Sequence, residues 1–306
     1  MKFFAAPLQG YTNAVFRRLH MELFGGVDCY FTPFLRVEKG EPCRRTLRDI
    51  VQQSGGEDVS VVPQIIFRDA VEFGLLRDVL RDAGFHRIDL NMGCPFPPQM
   101  SKGRGAGFLS RTEELRKVAD MVRRDKEIKY SVKMRLGADR ADQWHDVVDL
   151  LNTMPLTHVA VHPRTGREQY KGSLHFDEFD GLASALVHPL VFNGEIRACA
   201  DIDAVCGRYP GLYGVMAGRG LLSRPSLFAE YTAGCVWPLE KLREMHLRLH
   251  GAMLEHYRAS LSGEHQVLAH IKSFWDYPPE FLDHKSLKAI SKSRSMADYL
   301  AVVRSL

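Results

Sequence analysis

The sequence lacks the long apolar runs, the strong excess of one charge and the paired cysteines that mark several classes of protein. No segment approaches the roughly 20 consecutive apolar residues of a membrane-spanning helix. The short apolar start is followed at once by polar residues, so we expect no targeting peptide and a cytoplasmic protein. With 41 basic and 37 acidic residues in a chain of 306, any nucleic-acid partner must contact a local basic patch.

Motifs for disulfide and metal chemistry are also missing. The six cysteines include no Cys-x-x-Cys pair, which favours free thiols in a chain of this length. His246 and His250 lie four residues apart, but there is no H-E-x-x-H motif and no clear third ligand. We therefore expect no bound metal.

Eight short apolar runs are present, and most are followed by an amphipathic stretch with helical spacing. Strands that alternate with helices predict parallel β-α units with right-handed crossovers. Eight units over about 230 residues match an α/β fold of the (β/α)8 TIM-barrel type, with a doubly wound open sheet as the alternative. The predicted strands cover residues 2–5, 28–32, 60–66, 87–90, 130–135, 158–162, 190–193 and 213–217.

The pattern changes near residue 237. From Pro238 onward apolar residues recur at helical spacing, and no strand-like run follows. We therefore predict two domains, a catalytic TIM barrel over residues 1–236 and an all-helical domain over residues 237–306.

Polar residues or glycines follow seven of the eight predicted strands. The carboxyl ends of barrel strands lie on one face, where barrel enzymes carry their active sites. After the last two strands, Gly194, Gly218 and Gly220 would let backbone amides approach an anion, and Arg219 would add a forked cationic contact. The alternative is a pair of tight strand-to-helix turns with a surface arginine.

Lys133 and Arg135 lie two residues apart in an apolar run, so they share one face of a strand. If that face lines the barrel, the cations need a partner, and an anionic or electron-rich cofactor would supply one. Two alternatives stay open. Both side chains could reach solvent at a strand end, or Lys133 could form a Schiff base, which would make the protein an aldolase.

Cys94 follows the fourth predicted strand and precedes a proline-rich loop. A thiol there is a candidate nucleophile or proton donor, with a buried structural cysteine as the alternative. The loop continues into a glycine run with Lys102 and Arg104, which resembles a mobile cationic lid. This run does not have the spacing of a nucleotide-binding P-loop.

Taken together, these segments resemble the tRNA-dihydrouridine synthases. The resemblance implies an FMN-dependent barrel with a helical C-terminal domain that reduces the C5–C6 double bond of a uridine in tRNA, with NADPH as electron source. Residues 34–37 and 269–275 are similar to the subgroup that modifies uridine 16 of the D loop. The resemblance rests on APLQGYTN at 6–13, DLNMGCP at 89–95, VKMRLG at 132–137, VHPRT at 161–165, QYKG at 169–172, FNGEI at 192–196 and MAGRG at 216–220.

The resemblance also implies roles for individual residues. Cys94 would donate a proton to uridine C5 on the face opposite the hydride. Lys133 and His162 would lie near the N1 and O2 side of the flavin. The remaining flavin contacts would be Pro7, Leu8, Gln9 and Gln64 at the ring and Asn193, Gly194, Glu195, Gly218 and Arg219 at the phosphate end.

A basic stripe in the helical domain is the predicted contact with tRNA. Lys285, Lys288 and Lys292 have the spacing of one helix face, and Arg294 extends the stripe. An ordinary solvated helix face is the alternative. We expect the substrate to be bound by a monomer, through these residues and through Asn91, Lys102, Arg104, Arg135, Arg164, Tyr170 and Lys272.

Two rival functions fit part of the pattern. A small-molecule flavin reductase of the dihydroorotate or enoate type would use the same barrel without needing a basic helical domain. A non-catalytic RNA-binding protein would not need Cys94, Lys133 and His162 together.

Overall fold

The computed structural model describes residues 1–52 and 60–306. Each of the eight predicted strands is present, although the third is split by Pro63, and a short antiparallel pair, β3 and β4, was not predicted. The strands are β1 Lys2–Ala5, β2 Cys29–Phe31, β3 Val37–Glu38, β4 Glu41–Pro42, β5 Ser60–Val62, β6 Gln64–Ile65, β7 Arg87–Met92, β8 Lys129–Gly137, β9 Leu156–Thr165, β10 Leu190–Asn193 and β11 Gly214–Ala217.

In the described part of the chain, nine strands form one parallel sheet in the order β5-β2-β1-β11-β10-β9-β8-β7-β6. The two end strands, β5 and β6, are separated only by Pro63, which has no N–H group to donate to a ladder. Strand β5 pairs with β2, and β6 pairs with β7, so the bent segment brings the sheet round into a barrel. The predicted TIM barrel is confirmed, and the open doubly wound sheet is wrong.

Helices follow most strands and cover the outside of the barrel. Asn13 and Asp69 cap α1 and α3, because each side-chain oxygen accepts a backbone N–H of the first turn. The helices are α1 Ala14–Leu23, α2 Arg44–Val51, α3 Ala70–Asp82, α4 Pro97–Met100, α5 Thr112–Arg124, α6 Val148–Thr153, α7 Phe176–Ala185, α8 Cys199–Arg208, α9 Arg219–Ser223, α10 Leu227–Ala233, α11 Leu239–Ser260, α12 Glu264–Lys272, α13 His284–Lys292 and α14 Met296–Val303.

Alternating side chains along each strand build two apolar layers. On β1, Phe3 and Ala5 pack in the large layer between the strands and the helices. Phe4 points the other way and packs with Phe31 and Met216 in a separate cluster, as the period of two in a strand requires. The lower interior of the barrel is thereby filled, which leaves the carboxyl ends of the strands for the site.

Helices α11 to α14 form a second core around Trp275 and Tyr299, and the all-helical character predicted after residue 237 is confirmed. Phe16 and Leu19 of α1 belong to this core, so the first barrel helix is shared with the C-terminal helices. The division into domains at residue 237 stays a prediction. Among the described residues, no helix has both the length and the apolar character needed to cross a bilayer.

Candidate active site

A cavity of about 640 Å³ opens at the carboxyl ends of the barrel strands. This volume lies in the range of roughly 300–1,000 Å³ that is typical of cofactor and substrate sites. The structure thus brings most of the residues predicted from the sequence to the lining of one cavity. Those that line the cavity are Pro7, Leu8, Gln9, Asn91, Cys94, Lys133, Arg135, His162, Tyr170, Asn193, Gly194, Glu195, Gly218 and Arg219.

Lys133 faces this cavity from β8 without a protein partner. Within residues 1–52 and 60–306, no acceptor lies within hydrogen-bond distance of its ammonium group, and no carboxylate pairs with it. Burial, followed by the nearby Arg135 guanidinium, lowers the pKa of Lys133 to about 8. A cation in this position would be stabilised by an anionic or electron-rich group in the cavity.

Cys94 lies on the same wall, at the start of the loop after β7. The carboxamide oxygen of Asn91 accepts hydrogen bonds from the backbone N–H groups of Gly93 at 3.1 Å and Cys94 at 2.9 Å, which fixes the turn. Burial raises the pKa of the Cys94 thiol, opposed by the N–H of Phe96 and by the charge of Lys133. The thiol is therefore protonated at neutral pH, as a proton donor must be.

The loop that follows Cys94 is folded against it. Gly105 has a φ of +58°, and a Cβ there would lie 2.6 Å from the Cys94 carbonyl oxygen, so only glycine permits this packing. Arg104 is buried and makes a bidentate ion pair with Glu72, at 2.6 and 3.0 Å. Arg104 thus anchors the loop through Glu72, whereas Lys102 is exposed, and the lid role of this loop stays a prediction.

Arg164 is also buried, and it lies behind the cavity wall instead of on it. Its guanidinium donates to His162 Nε2 at 3.2 Å and to Glu195 Oε1 at 2.7 Å. Burial and the surrounding cations, Arg135 first among them, hold the pKa of His162 well below its usual value, so the ring is neutral. Arg164 thus bonds two cavity residues, and its contact with tRNA stays a prediction.

The turns after β10 and β11 approach each other closely. A Cβ on Gly220 would collide with the carbonyl oxygen of Ile196, so glycine is required at this position. Arg219 donates to Glu195 at 2.8 Å, and Arg197 pairs with the same carboxylate. Burial opposes ionisation, but Arg164 first and then Arg219 and Arg197 lower the pKa of Glu195, so this edge of the cavity keeps a net positive charge.

Gln64 is the flavin-contact candidate that the structure places elsewhere. Its side chain is fully buried and does not line the cavity, and it is hydrogen-bonded to Asp89 and Asn91 at 2.7 Å each. The contact of Gln64 with the flavin ring stays a prediction. The other ring candidates, Pro7, Leu8 and Gln9, do line the cavity.

The sequence assigned no individual role to four aromatic residues that line the cavity, namely Tyr11, Phe34, Phe96 and Tyr277. Tyr277 comes from the C-terminal helical region, and its ring contacts that of Tyr11, with centroids 5.0 Å apart. Tyr11 Oη also donates to Asp276 at 2.9 Å. Only the adjacent Pro278-Pro279 break hinted that the chain leaves a helix here.

The basic residues of the C-terminal region differ in whether their charged groups are exposed or hydrogen-bonded within the protein. Lys285, Lys288 and Lys292 are exposed on α13, as their spacing predicts, and Arg294 is exposed just beyond it. Lys272 instead donates to the carbonyl oxygens of Ser291 and Ser293, so its ammonium group is engaged within the protein. In the ranges that the structure covers, no three potential metal-ligating side chains come together, and His250 bonds Tyr299.

Fold and site together define a TIM-barrel protein with a thiol and a lysine in one cavity. The dihydrouridine synthase (Dus) family model matches residues 4–293. The chain is 30% identical over 238 residues to a probable tRNA-dihydrouridine synthase of Staphylococcus epidermidis, covering 74% of this chain and 70% of that one. It is 29% identical over 313 residues to a tRNA-dihydrouridine(16) synthase of Cupriavidus necator, covering 95% and 94%.

A solved structure supports the fold. Histamine dehydrogenase from Rhizobium sp. 4-9 is similar with a TM-score of 0.58 over 83% of this chain, at 11% identity, and the chain spans about half of that protein, 48%. The family match covers nearly the whole sequence. The chain therefore belongs to the dihydrouridine synthase family and is an oxidoreductase.

Proposed function

We propose that this enzyme reduces the C5–C6 double bond of a D-loop uridine in tRNA, with FMN as cofactor and NADPH as the source of electrons. The observation that carries the proposal is the presence, in one cavity, of the protonated Cys94 thiol and of the Lys133 ammonium group, which makes no hydrogen bond or ion pair within residues 1–52 and 60–306. Schiff-base chemistry at Lys133 would not need the thiol, and a binding protein would need neither group.

The residues present fit a flavin mononucleotide. Its phosphate needs close backbone approach and cations, and Gly220, Arg219 and Arg197 provide these at one edge of the cavity. Lys133 and the neutral His162 line the cavity wall, where the N1 and O2 side of the ring would be held. When bound and reduced by NADPH, FMN supplies a hydride for C6 of the uridine.

Cys94 would complete the reduction by giving its proton to C5. Burial would keep this proton on the thiol before transfer, because a charged thiolate is costly in a buried site. The thiolate left behind is stabilised by the N–H of Phe96 and by the charges of Lys133 and Arg135, in that order. Asn91 and Arg135 line the same wall, where they would orient the base.

The tRNA would reach the cavity across the C-terminal helices. The exposed stripe of Lys285, Lys288 and Lys292 offers phosphate contacts, and the segment before α13 supplies Tyr277 to the cavity mouth. The target base would have to leave its stack to enter the cavity. We propose uridine 16 as the target, because the Cupriavidus necator relative carries that name and Phe34 and Arg36 line the cavity.

The proposal is tested with purified protein and tRNA from a strain in which the gene is deleted. We expect yellow protein that releases FMN on denaturation, and NADPH-dependent dihydrouridine at position 16 of the added tRNA. Protein that cannot be loaded with FMN, or loaded protein that leaves this tRNA unmodified, would overturn the proposal. Dihydrouridine at another position would overturn only the choice of uridine 16.

A further inference from the structure

A line of buried polar side chains crosses three neighbouring strands on the inner face of the barrel, two residues before the cavity-lining Asn91 and Lys133. Gln64 on β6, Asp89 on β7 and Ser131 on β8 are direct partners in the strand register. Gln64 and Asp89 have no exposed surface, and Ser131 is also buried. Barrel interiors are filled mainly by apolar side chains, so a buried carboxylate at this position needs a specific reason.

Hydrogen bonds connect this line to Cys94. Asp89 accepts from Ser131 Oγ at 2.6 Å and from Gln64 Nε2 at 2.7 Å. Gln64 Oε1 then accepts from Asn91 Nδ2 at 2.7 Å, and Asn91 Oδ1 accepts from the Cys94 N–H at 2.9 Å. An unbroken path of hydrogen bonds therefore runs from the carboxylate to the backbone of the thiol residue.

The Cys94 N–H at one end of the path and the Asp89 carboxylate at the other determine which group donates in each hydrogen bond. A backbone N–H can only donate, so Asn91 must turn its oxygen to Cys94 and its NH₂ group to Gln64. Gln64 must then accept through Oε1 and donate through Nε2, which requires an acceptor at position 89. Burial raises the pKa of Asp89 to about 6, so above that pH its carboxylate is ionised and only accepts.

We infer that Asp89 is a positioning residue, which fixes the orientation of the Asn91 amide through Gln64 and thereby holds Cys94 in place at the cavity wall. Asp89 does not reach the cavity and contacts no substrate. Because it acts on the thiol side of the reaction, its loss should affect proton delivery to the uridine and spare reduction of the cofactor. The readout rests on the proposed function, since it uses FMN, NADPH and tRNA.

The test compares three variants of the FMN-loaded enzyme. Asp89→Leu has similar size but no acceptor, so it breaks the path. Asp89→Asn keeps the path, because its oxygen can accept from Gln64 while its NH₂ group donates to Ser131. Ser131→Ala is the matched control, since it removes a hydrogen bond to the same carboxylate and leaves the route to Cys94 intact.

Stopped-flow absorbance measures flavin reduction by NADPH and, separately, oxidation of the reduced enzyme by unmodified tRNA. We expect Asp89→Leu to slow the tRNA step about tenfold or more and to leave flavin reduction unchanged, because small displacements of a reacting group are costly. All enzymes are kept saturated with FMN, because the Asp89 charge also favours the ammonium form of Lys133. Asp89→Asn and Ser131→Ala should then match the parent in both steps. If Asp89→Leu does not hold FMN, Asp89→Ala severs the same path with a smaller side chain and should show the same split.

Two results would overturn the inference. One is that the Asp89→Asn enzyme reacts with tRNA as slowly as the Asp89→Leu enzyme. The negative charge of Asp89, and not its role as a hydrogen-bond acceptor, would then be the property that matters. The other is a path-breaking variant that reacts with tRNA as fast as the parent. A parent enzyme that does not bind FMN or modify tRNA would refute the proposed function instead, so the two failures are distinct.

Discussion

The guanidinium carbon of Arg219 lies 4.0 Å from the centre of the Tyr170 ring, and the same side chain donates to Glu195. Arg219 is thus held on two sides at the turn after β11, where the phosphate of FMN is proposed to bind. A pre-organised arginine loses little side-chain freedom when it binds a phosphate.

We predict that Arg219→Ala weakens FMN binding by about 1.5–3 kcal/mol, which is roughly tenfold or more in affinity. Fluorescence titration of the FMN-free protein measures this change. Arg167→Ala is the control, because Arg167 is exposed and pairs with Asp139, away from the cavity. An Arg219→Ala protein with the parent's affinity would remove Arg219 from the phosphate site.

Cys94→Ala should bind FMN and be reduced by NADPH at the parent rate, yet form little dihydrouridine. Loss of a general acid typically lowers the rate about 10²–10⁴-fold. Dihydrouridine in the tRNA is quantified after a fixed time. Cys235→Ala, which changes an exposed cysteine, is the matched control. Unchanged product formation by Cys94→Ala would return this residue to a structural role.

FMN affinity should fall as the pH rises through the pKa of Lys133, which burial lowers to about 8. The ammonium form exists below that pKa and is lost above it, whereas the FMN phosphate is already a dianion above about pH 6. Titrations across this range test the prediction. A Lys133→Met protein should bind more weakly with a flat profile, and a flat profile in the parent would contradict the proposed role of the ammonium group.

Replacing Lys285, Lys288 and Lys292 together by alanine should weaken tRNA binding and flatten its dependence on salt. Fewer phosphate contacts form in the variant, so fewer counterions are released on binding and the affinity depends less steeply on salt concentration. FMN content should not change. The control replaces three other exposed lysines, Lys117, Lys126 and Lys129, and so alters the net charge equally. If both triple variants bind alike, the stripe on α13 is only a solvated helix face.

Arg104→Ala should lower the free energy of unfolding by about 3 kcal/mol, because it leaves the Glu72 carboxylate buried with a weaker partner. Urea unfolding measures the loss. Arg68→Ala removes the exposed partner of the same carboxylate and should cost at most about 1 kcal/mol. Equal losses in the two variants would contradict the anchoring role of Arg104.

Much of the site follows from patterns that are local in the sequence. The alternation of side chains along a strand places Asn91 and Lys133 on the inner face, and the end of each strand places Cys94 and Gly218 at one edge of the barrel. These relationships depend only on the strand period and on parallel pairing. The family resemblance then assigned a chemistry to the residues so gathered.

Local patterns do not show which charges are buried. Some polar residues that look like surface or ligand-binding residues in the sequence have partners inside the protein. The structure bonds Arg104 to Glu72, Arg164 to Glu195 and Gln64 to Asp89. The sequence around an arginine does not show whether it contacts a phosphate or a distant carboxylate, because its partner depends on how segments far apart in the chain pack together.

The sequence by itself determined the order of strands and helices, the residues at the strand ends and the lysine face of α13, since each depends on neighbours in the chain. The tertiary structure alone decided that Pro63 bends one strand so that the sheet returns on itself, and that Tyr277 reaches the cavity mouth beside Tyr11. It also decided that a path of hydrogen bonds joins the Asp89 carboxylate to the backbone of Cys94. These features join residues far apart in sequence, and only packing in three dimensions selects such contacts.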